Sequence, residues 1–119
     1  MFFMLKLSSK LKRILLHVSQ NSPFYIRRFK RENINLNTIK TRESFFKIPP
    51  TTKKDLLNHA LDITAVPPSE IYSLFSSGGT TGKPKLIYFT RKALDQEGRA
   101  VGNYLANLGM KRGEGGLVM

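Results

Sequence analysis

A run rich in glycine, hydroxyl groups and lysine, SSGGTTGKPK, covers residues 76–85 and lies between two β-rich segments. These segments read IYSLFSS, beginning at Ile71, and KLIYFT, ending at Thr90. Their branched and aromatic side chains are typical of β-strands. The glycines between them allow backbone conformations that other residues avoid. This part of the sequence therefore predicts a strand, a loop and a second strand.

The composition of the loop predicts that it binds phosphate. Serine and threonine hydroxyls donate hydrogen bonds to oxyanions, lysines supply positive charge, and glycines let backbone N–H groups approach a ligand. The spacing does not fit the P-loop pattern, because Gly78 and Gly82 are too close and Pro84 stands where Ser or Thr is required. The dinucleotide pattern G-x-G-x-x-G is also absent. Hydroxyls, exposed N–H groups and lysine, rather than a helix dipole, are therefore expected to hold the anion.

Most of the chain before the first predicted strand is expected to be helical. Apolar residues at helical spacing predict an amphipathic helix over about residues 5–20: Leu7, Leu11, Ile14, Leu15 and Val18. We expect this apolar stripe to pack on a part of the protein outside this sequence. Ser22 followed by Pro23 predicts the start of a second, short helix. Other helices are predicted before Pro49, over residues 53–61 after a cap at Thr52, and from Thr90 to about Leu108.

The second half of the sequence does not contain enough elements to close a core. The LVM segment at residues 117–119 is expected to begin a third strand, and Gly109 to end the long helix. The aromatic residues of the two strands do not alternate with polar ones, so both strands are expected to be buried on both faces. The predicted fold class is α/β: a helical prelude over 1–66, then the first strands and helix of an incomplete domain over 67–119.

Composition excludes several classes of site. The chain of 119 residues has no cysteine, so it cannot form a disulfide or use a thiol. Its two histidines, His17 and His59, lack ligand spacing, and no protein-held metal site is expected. No apolar run approaches the ~20 residues of a membrane span. We therefore expect a cytoplasmic protein without stable membrane insertion.

The net charge of +12 leaves an alternative open. Residues 1–31 carry eight Lys and Arg residues and no acidic residue. A small basic protein could use this region to bind nucleic acid or an anionic membrane surface. The simpler interpretation is that the lysines are solvated while the apolar stripe packs, and no nucleic-acid partner is expected.

The string FSSGGTTGKPK resembles the signature loop of the adenylate-forming enzymes, the AMP-dependent synthetases and ligases. That loop reads approximately [ST]-[SG]-G-[ST]-T-G-x-P-[KT] and lies between two strands. The segments NSPFYIRRF, FFKIPPTTKKDLLNH and KLIYFTRKALD resemble the N-terminal stretch of the phenylacetate–coenzyme A ligase branch. The resemblance extends over nearly the whole chain. One departure is the pair Gly78 and Gly79, where many members have a single glycine, and it affects the alignment of Ser77.

The resemblance implies a two-step reaction. A carboxylate, of which an aromatic acid is one candidate, attacks the α-phosphate of ATP and forms an acyl-adenylate and pyrophosphate. A thiol of coenzyme A or a carrier protein then displaces AMP, and Mg²⁺ accompanies the ATP. By position, nine residues would bind the ATP phosphates through hydroxyls, glycine backbone and lysine charge: Ser76, Ser77, Gly78, Gly79, Thr80, Thr81, Gly82, Lys83 and Lys85.

The same resemblance limits what this sequence is expected to do. None of these residues is a catalytic nucleophile or base. Elements that follow the loop in the sequences of family members do not occur in residues 1–119. They are the segment that contacts adenine, the acidic residue that binds ribose, the catalytic lysine and the residues of the acyl pocket. We therefore expect residue 1 to be a true start, the chain to be an N-terminal fragment, and the fragment alone to be inactive.

Overall fold

The computed structural model of the chain describes residues 6–77, 82–111 and 113. In these ranges the elements follow in this order: α1 (Ser9–Asn21), α2 (Pro23–Arg31), α3 (Arg42–Phe45), α4 (Lys53–Ile63), β1 (Ile71–Ser76), β2 (Leu86–Thr90) and α5 (Arg91–Asn107). Short 3-10 helices cover Leu36–Thr38 and Pro68–Glu70. The helical first part, followed by two strands and a helix, confirms the predicted fold class.

Side-chain caps set the helix starts, as the sequence predicts. The Ser22 hydroxyl oxygen accepts from the Tyr25 N–H at the start of α2, where Pro23 occupies the first turn. Thr52 caps α4, and its hydroxyl oxygen accepts a hydrogen bond of 3.2 Å from the Asp55 N–H. Thr90 caps α5. These caps satisfy N–H groups that have no partner inside their helices, and the three predicted starts are confirmed.

The first helix begins later than predicted. Ser8 caps α1, which starts at Ser9 rather than near residue 5. The backbone before this cap is paired with a distant segment, because the Leu7 N–H donates to the Lys40 carbonyl at 2.9 Å and Lys6 forms an antiparallel bridge with Thr41. This pairing keeps the chain extended up to the cap, so helical periodicity alone placed the boundary wrongly.

The core lies in the helical part of the molecule. Its buried cluster consists of Leu7, Leu15, Phe29 and Ile39. Partly buried residues pack around it: Leu11, Val18, Tyr25, Ile34, Leu36, Phe45 and Ile48. The expectation that the stripe of α1 packs outside this sequence is therefore wrong for most of the stripe, since α2 and the segment after it pack onto α1. Ile14 of the stripe stays exposed.

The two strands form an antiparallel hairpin. Ile71 lies opposite Thr90, Ser76 lies opposite Leu86, and an irregularity shifts the register between Ile71 and Ser73. The rings of Phe75 and Phe89 contact each other edge to face, with centroids 5.2 Å apart. They are diagonal neighbours on the two strands, so this contact stabilises the register next to the loop.

The strands are less buried than predicted. α4 packs against β2, and α5 packs against both strands. Even so, large apolar side chains of the hairpin are about half exposed or more: Tyr72, Leu74, Phe75 and Ile87. Burial on both faces is therefore wrong for this chain, because the described helices cover only part of the sheet. The predicted third strand at residues 117–119 lies outside the described residues, and the division at residue 66 stays a prediction.

Candidate functional site

The predicted phosphate loop connects β1 to β2, at the turn end of the hairpin. Beyond the pair of Ser76 and Leu86, the Ser77 N–H donates to the Lys85 carbonyl at 3.0 Å. The Lys85 N–H donates back to the Ser77 hydroxyl oxygen at 3.2 Å. Because both bonds join the same two residues, they close the neck of a loop over residues 78–84.

The Ser77 hydroxyl has a structural function that the sequence did not reveal. Its oxygen accepts from the backbone across the neck. A hydroxyl has one proton to donate in addition to its lone pairs, so this group can still donate to an anion. The closed neck also fixes the position of Ser77 relative to Lys85 at the end of the sheet.

Gly82 has a backbone conformation that requires glycine. Its φ angle is +132°, and an added Cβ would meet no heavy atom within 4 Å. The requirement therefore comes from the backbone torsion and not from a lack of space. Pro84, with its fixed φ, follows two residues later and returns the chain to the second strand.

The structure brings together the predicted loop residues that it describes. Ser76 and Ser77 lie on one side of the neck, Lys85 lies on the other, and Gly82 and Lys83 precede it in the loop. Within the described residues, neither lysine forms a salt bridge, so both charges are available to an anion. The remaining predicted residues lie outside the described residues: Gly78, Gly79, Thr80 and Thr81.

A charged pair that the sequence did not predict, in which the arginine is buried and the carboxylate is partly exposed, connects α2 to the start of α4. The Arg28 guanidinium is buried and donates to an Asp55 carboxylate oxygen at 3.0 Å. It also donates to the Pro50 carbonyl at 3.2 Å. Its central carbon lies 4.6 Å from the centroid of the Phe24 ring. The Thr52 N–H and hydroxyl donate to the same carboxylate, each at 2.8 Å. The only sequence signal was the T-x-x-D pattern of a capping box.

The hydrogen bonds at Asp55 change its acidity. Donation from the Thr52 N–H, followed by the Thr52 hydroxyl and Arg28, lowers the pKa of the Asp55 carboxyl from 3.8 to about 2, against a smaller opposing effect of burial. The carboxylate is thus ionised at neutral pH. Since α4 also packs against β2, this pair positions the helix that supports the hairpin.

Ser22 connects the other end of α4 to α2. Its side chain is fully buried, and its hydroxyl lies 2.9 Å from the Asp62 carbonyl and 3.0 Å from the Ile63 carbonyl. A single proton is shared between these two acceptors. Arg27 adds an exposed salt bridge to Asp62. Both ends of α4 are therefore held to α2 by polar contacts.

The basic N-terminal region is partly neutralised. Three of its basic residues form salt bridges: Arg27, Arg28 and Arg31. Among the helices of the described residues, none has the length and apolar character needed to cross a bilayer. No specific observation favours nucleic-acid or membrane binding through residues 1–31, and that alternative stays a prediction.

No protein-family model matches the chain. Individual proteins do match. The phenylacetate–coenzyme A ligase of Escherichia coli is 32% identical over 103 residues, which are 86% of this chain and 24% of that protein. The enzyme of the same name from Thermus thermophilus is 32% identical over 105 residues, 87% of this chain and 24% of that protein. The chain is a relative of the phenylacetate–coenzyme A ligases. It spans about a quarter of their length.

Solved structures agree with the fold of this ligase relative. An open conformation of 2-hydroxyisobutyryl-CoA ligase, in complex with 2-HIB-AMP and CoA, superposes with a TM-score of 0.75 at 22% identity. The match covers 88% of this chain and 25% of that chain. The same enzyme in its thioesterification state gives a TM-score of 0.62 at 27% identity, over 80% of this chain and 20% of that one. The fold is therefore that of one portion of an adenylate-forming ligase.

Proposed function

We propose that this chain provides the ATP-phosphate loop of an ATP-dependent carboxylate–coenzyme A ligase. The observation that carries the proposal is the hairpin whose neck, joined by Ser77 and Lys85, holds a loop of the sequence SSGGTTGKPK. The relationship to phenylacetate–coenzyme A ligases supports it. So do the acyl-AMP and CoA complexes of the structurally similar enzyme.

In the proposed reaction, a carboxylate oxygen attacks the α-phosphorus of Mg²⁺-bound ATP, and pyrophosphate leaves. The thiol of coenzyme A then attacks the acyl carbonyl carbon, its proton is lost, and AMP leaves. The loop hydroxyls donate to phosphate oxygens, and Lys83 and Lys85 offset the charge of the leaving pyrophosphate. The loop holds neither the nucleophile nor a base, so its function is binding and electrostatic stabilisation.

The binding step can be tested on the chain itself. Titration with Mg²⁺–ATP, followed by backbone amide NMR, should shift Ser77 and Lys85. The double variant Lys83→Ala/Lys85→Ala should weaken binding by about tenfold or more, because two charge-assisted contacts are lost. Lys10→Ala/Lys12→Ala on α1 removes the same charge away from the loop and serves as the matched control. Equal losses in the two double variants would mean non-specific attraction and would contradict the proposal.

The reaction requires a polypeptide that contains this chain together with the remaining length of its relatives. Such a protein should catalyse carboxylate-dependent exchange between ATP and pyrophosphate. Removing both loop lysines should slow the exchange by about a hundredfold or more, as for other preorganised transition-state contacts. Phenylacetate and 2-hydroxyisobutyrate are the first acids to compare. Unchanged exchange in the double variant would exclude the proposed function of the lysines.

We also propose that the protein is located in the cytoplasm.

A further inference from the structure

An apolar groove runs beside α1, on elements that do not contribute to the phosphate loop. It consists of two cavities of about 390 and 430 Å³. The cavities share Leu11, Phe45 and Phe46, so they adjoin each other between α1 and α3. We call them together the α1–α3 groove. The groove is open to solvent, and its lining is largely aliphatic and aromatic.

Positive charge lies at one part of this groove only. Lys6 and Arg42 line the smaller cavity, and among the described residues neither forms a salt bridge. The Arg42 guanidinium carbon lies 5.6 Å from the ring centroid of Phe46, a cation–π contact that holds the charge beside the apolar lining. No acidic residue is among the described residues that line either cavity.

The larger cavity is apolar apart from a satisfied pair of hydroxyls. Tyr25 and Thr51 line it, and their hydroxyl oxygens are 2.6 Å apart, so they bond to each other. Besides Leu11, α1 contributes Ile14, Leu15 and Val18. A ligand tail in this cavity would therefore contact mostly carbon and would not separate this hydroxyl pair.

We propose that the α1–α3 groove binds a free single-chain carboxylate amphiphile. Its anionic head would contact Lys6 and Arg42, and its hydrocarbon tail would lie over Phe46 and Leu11 in the direction of the larger cavity. Charge complementarity with Lys6 and Arg42 selects an anionic head over a cationic one, since the described residues that line the groove include no acid. This site is separate from the phosphate loop, so the inference does not depend on the proposed ligase reaction.

The first experiment is a titration of the whole chain with dodecanoate below its micelle concentration, followed by backbone amide NMR. Amides of Leu11, Phe46 and Ile48 should shift together, and those of Ser77 and Lys85 should not. Dodecyltrimethylammonium, with the same tail and the opposite charge, should bind at least about tenfold more weakly. Equal affinity for the two amphiphiles would overturn the proposal, and this comparison requires no variant.

Two pairs of variants locate the head and the tail. Lys6→Gln/Arg42→Gln should raise the dissociation constant for dodecanoate about fivefold, whereas the matched double variant Lys10→Gln/Arg13→Gln should not change it. Phe46→Ala should weaken binding by a similar factor, while Tyr72→Ala, at another exposed aromatic residue on the hairpin, should have no effect. Equal losses within either pair would overturn the assignment.

Other occupants of the groove give distinguishable results. Binding of phosphatidylglycerol vesicles in a manner sensitive to Lys10→Gln/Arg13→Gln, without binding of monomeric dodecanoate, would indicate a membrane surface instead. A dimer in sedimentation experiments that persists when dodecanoate is added, with Phe46→Ala monomeric, would indicate a second copy of the chain. Either result would overturn the proposal of a free carboxylate.

Discussion

The Asp55 carboxylate shows how one residue can connect local and long-range structure. It accepts hydrogen bonds from Thr52, three residues earlier, and from Arg28 on another helix. Leaving a buried guanidinium without its acceptor is costly. The capping box at the start of α4 and the contact between α2 and α4 therefore depend on the same Asp55 carboxylate.

The lowered pKa of Asp55 makes the stability of the protein depend on pH. The folded carboxyl has a pKa of about 2 against an ordinary value of 3.8. It therefore stabilises the folded state above the ordinary pKa, and this contribution is lost as the pH falls towards 2. Urea unfolding of wild type and Asp55→Asn should differ clearly at pH 7 and less near pH 2. A difference that is constant over this range would contradict the assignment.

Ser22 should be unusually sensitive to substitution for a serine. Ser22→Ala removes the donor to the Asp62 and Ile63 carbonyls and the cap of α2. It should lower the free energy of unfolding by about 1–2 kcal/mol. Ser19→Ala, which removes only a bond to the Leu16 carbonyl of the same helix, should change it by less than about 0.5 kcal/mol. Equivalent effects of the two substitutions in urea unfolding would show that burial of Ser22 contributes nothing.

At the scale of elements, α5 contains residues that weaken an exposed helix. Gly98 and Gly102 lie one turn apart within it, and an added Cβ at either would meet no atom within 4 Å. Glycine inside a helix costs about 0.5–1 kcal/mol relative to alanine. The helix is capped by Thr90 and ends before Gly109, whose φ of +94° suits a helix terminus.

Replacing these glycines should stabilise the chain. Gly98→Ala and Gly102→Ala should each raise the free energy of unfolding by about 0.5–1 kcal/mol. The thermal midpoint and the helical ellipticity at 222 nm should increase as well. Ala100→Gly, at another exposed position of α5, is the reverse control and should lower both. A loss of stability in the two alanine variants would mean that another surface approaches α5 closely at these positions.

At the scale of the molecule, burial is uneven. Among the residues that the structure describes, every buried apolar one lies within the first third of the chain: Leu7, Leu15, Phe24, Phe29 and Ile39. Exposed apolar residues are concentrated on the hairpin and α5, with Tyr104 and Leu108 each more than 60% exposed. Local stability follows burial, because opening a poorly covered element exposes little new surface.

Rates of amide hydrogen exchange should therefore differ between the helical core and the rest of the chain. Amides of α1 and α2 should be protected for longer than those of β1, β2 and α5, with the difference visible by mass spectrometry of peptic fragments. α4, which contacts both α2 and β2, should be intermediate. Equal protection throughout the chain would show that the hairpin unfolds only together with the helical core.

Much of the candidate site could be predicted because it depends on neighbours in sequence. Glycine at position 82 and the β-rich flanks specify a strand, a loop and a strand, and hydroxyls at Ser22, Thr52 and Thr90 specify helix starts. Cap and turn geometry involve only a few consecutive residues, so local composition is sufficient. The neck contact from Lys85 to the Ser77 hydroxyl depends on strand register as well, and it was not predicted.

The sequence by itself determined where most helices and strands form, the composition of the loop at residues 76–85 and the similarity to the phenylacetate–coenzyme A ligases. Only the tertiary structure decided that Arg28 pairs with Asp55, that Ser22 is buried against the end of α4, and that the hairpin faces stay largely exposed. Those outcomes join residues far apart in the chain. They are set by how the helices pack on one another, and no local pattern of residues encodes that packing.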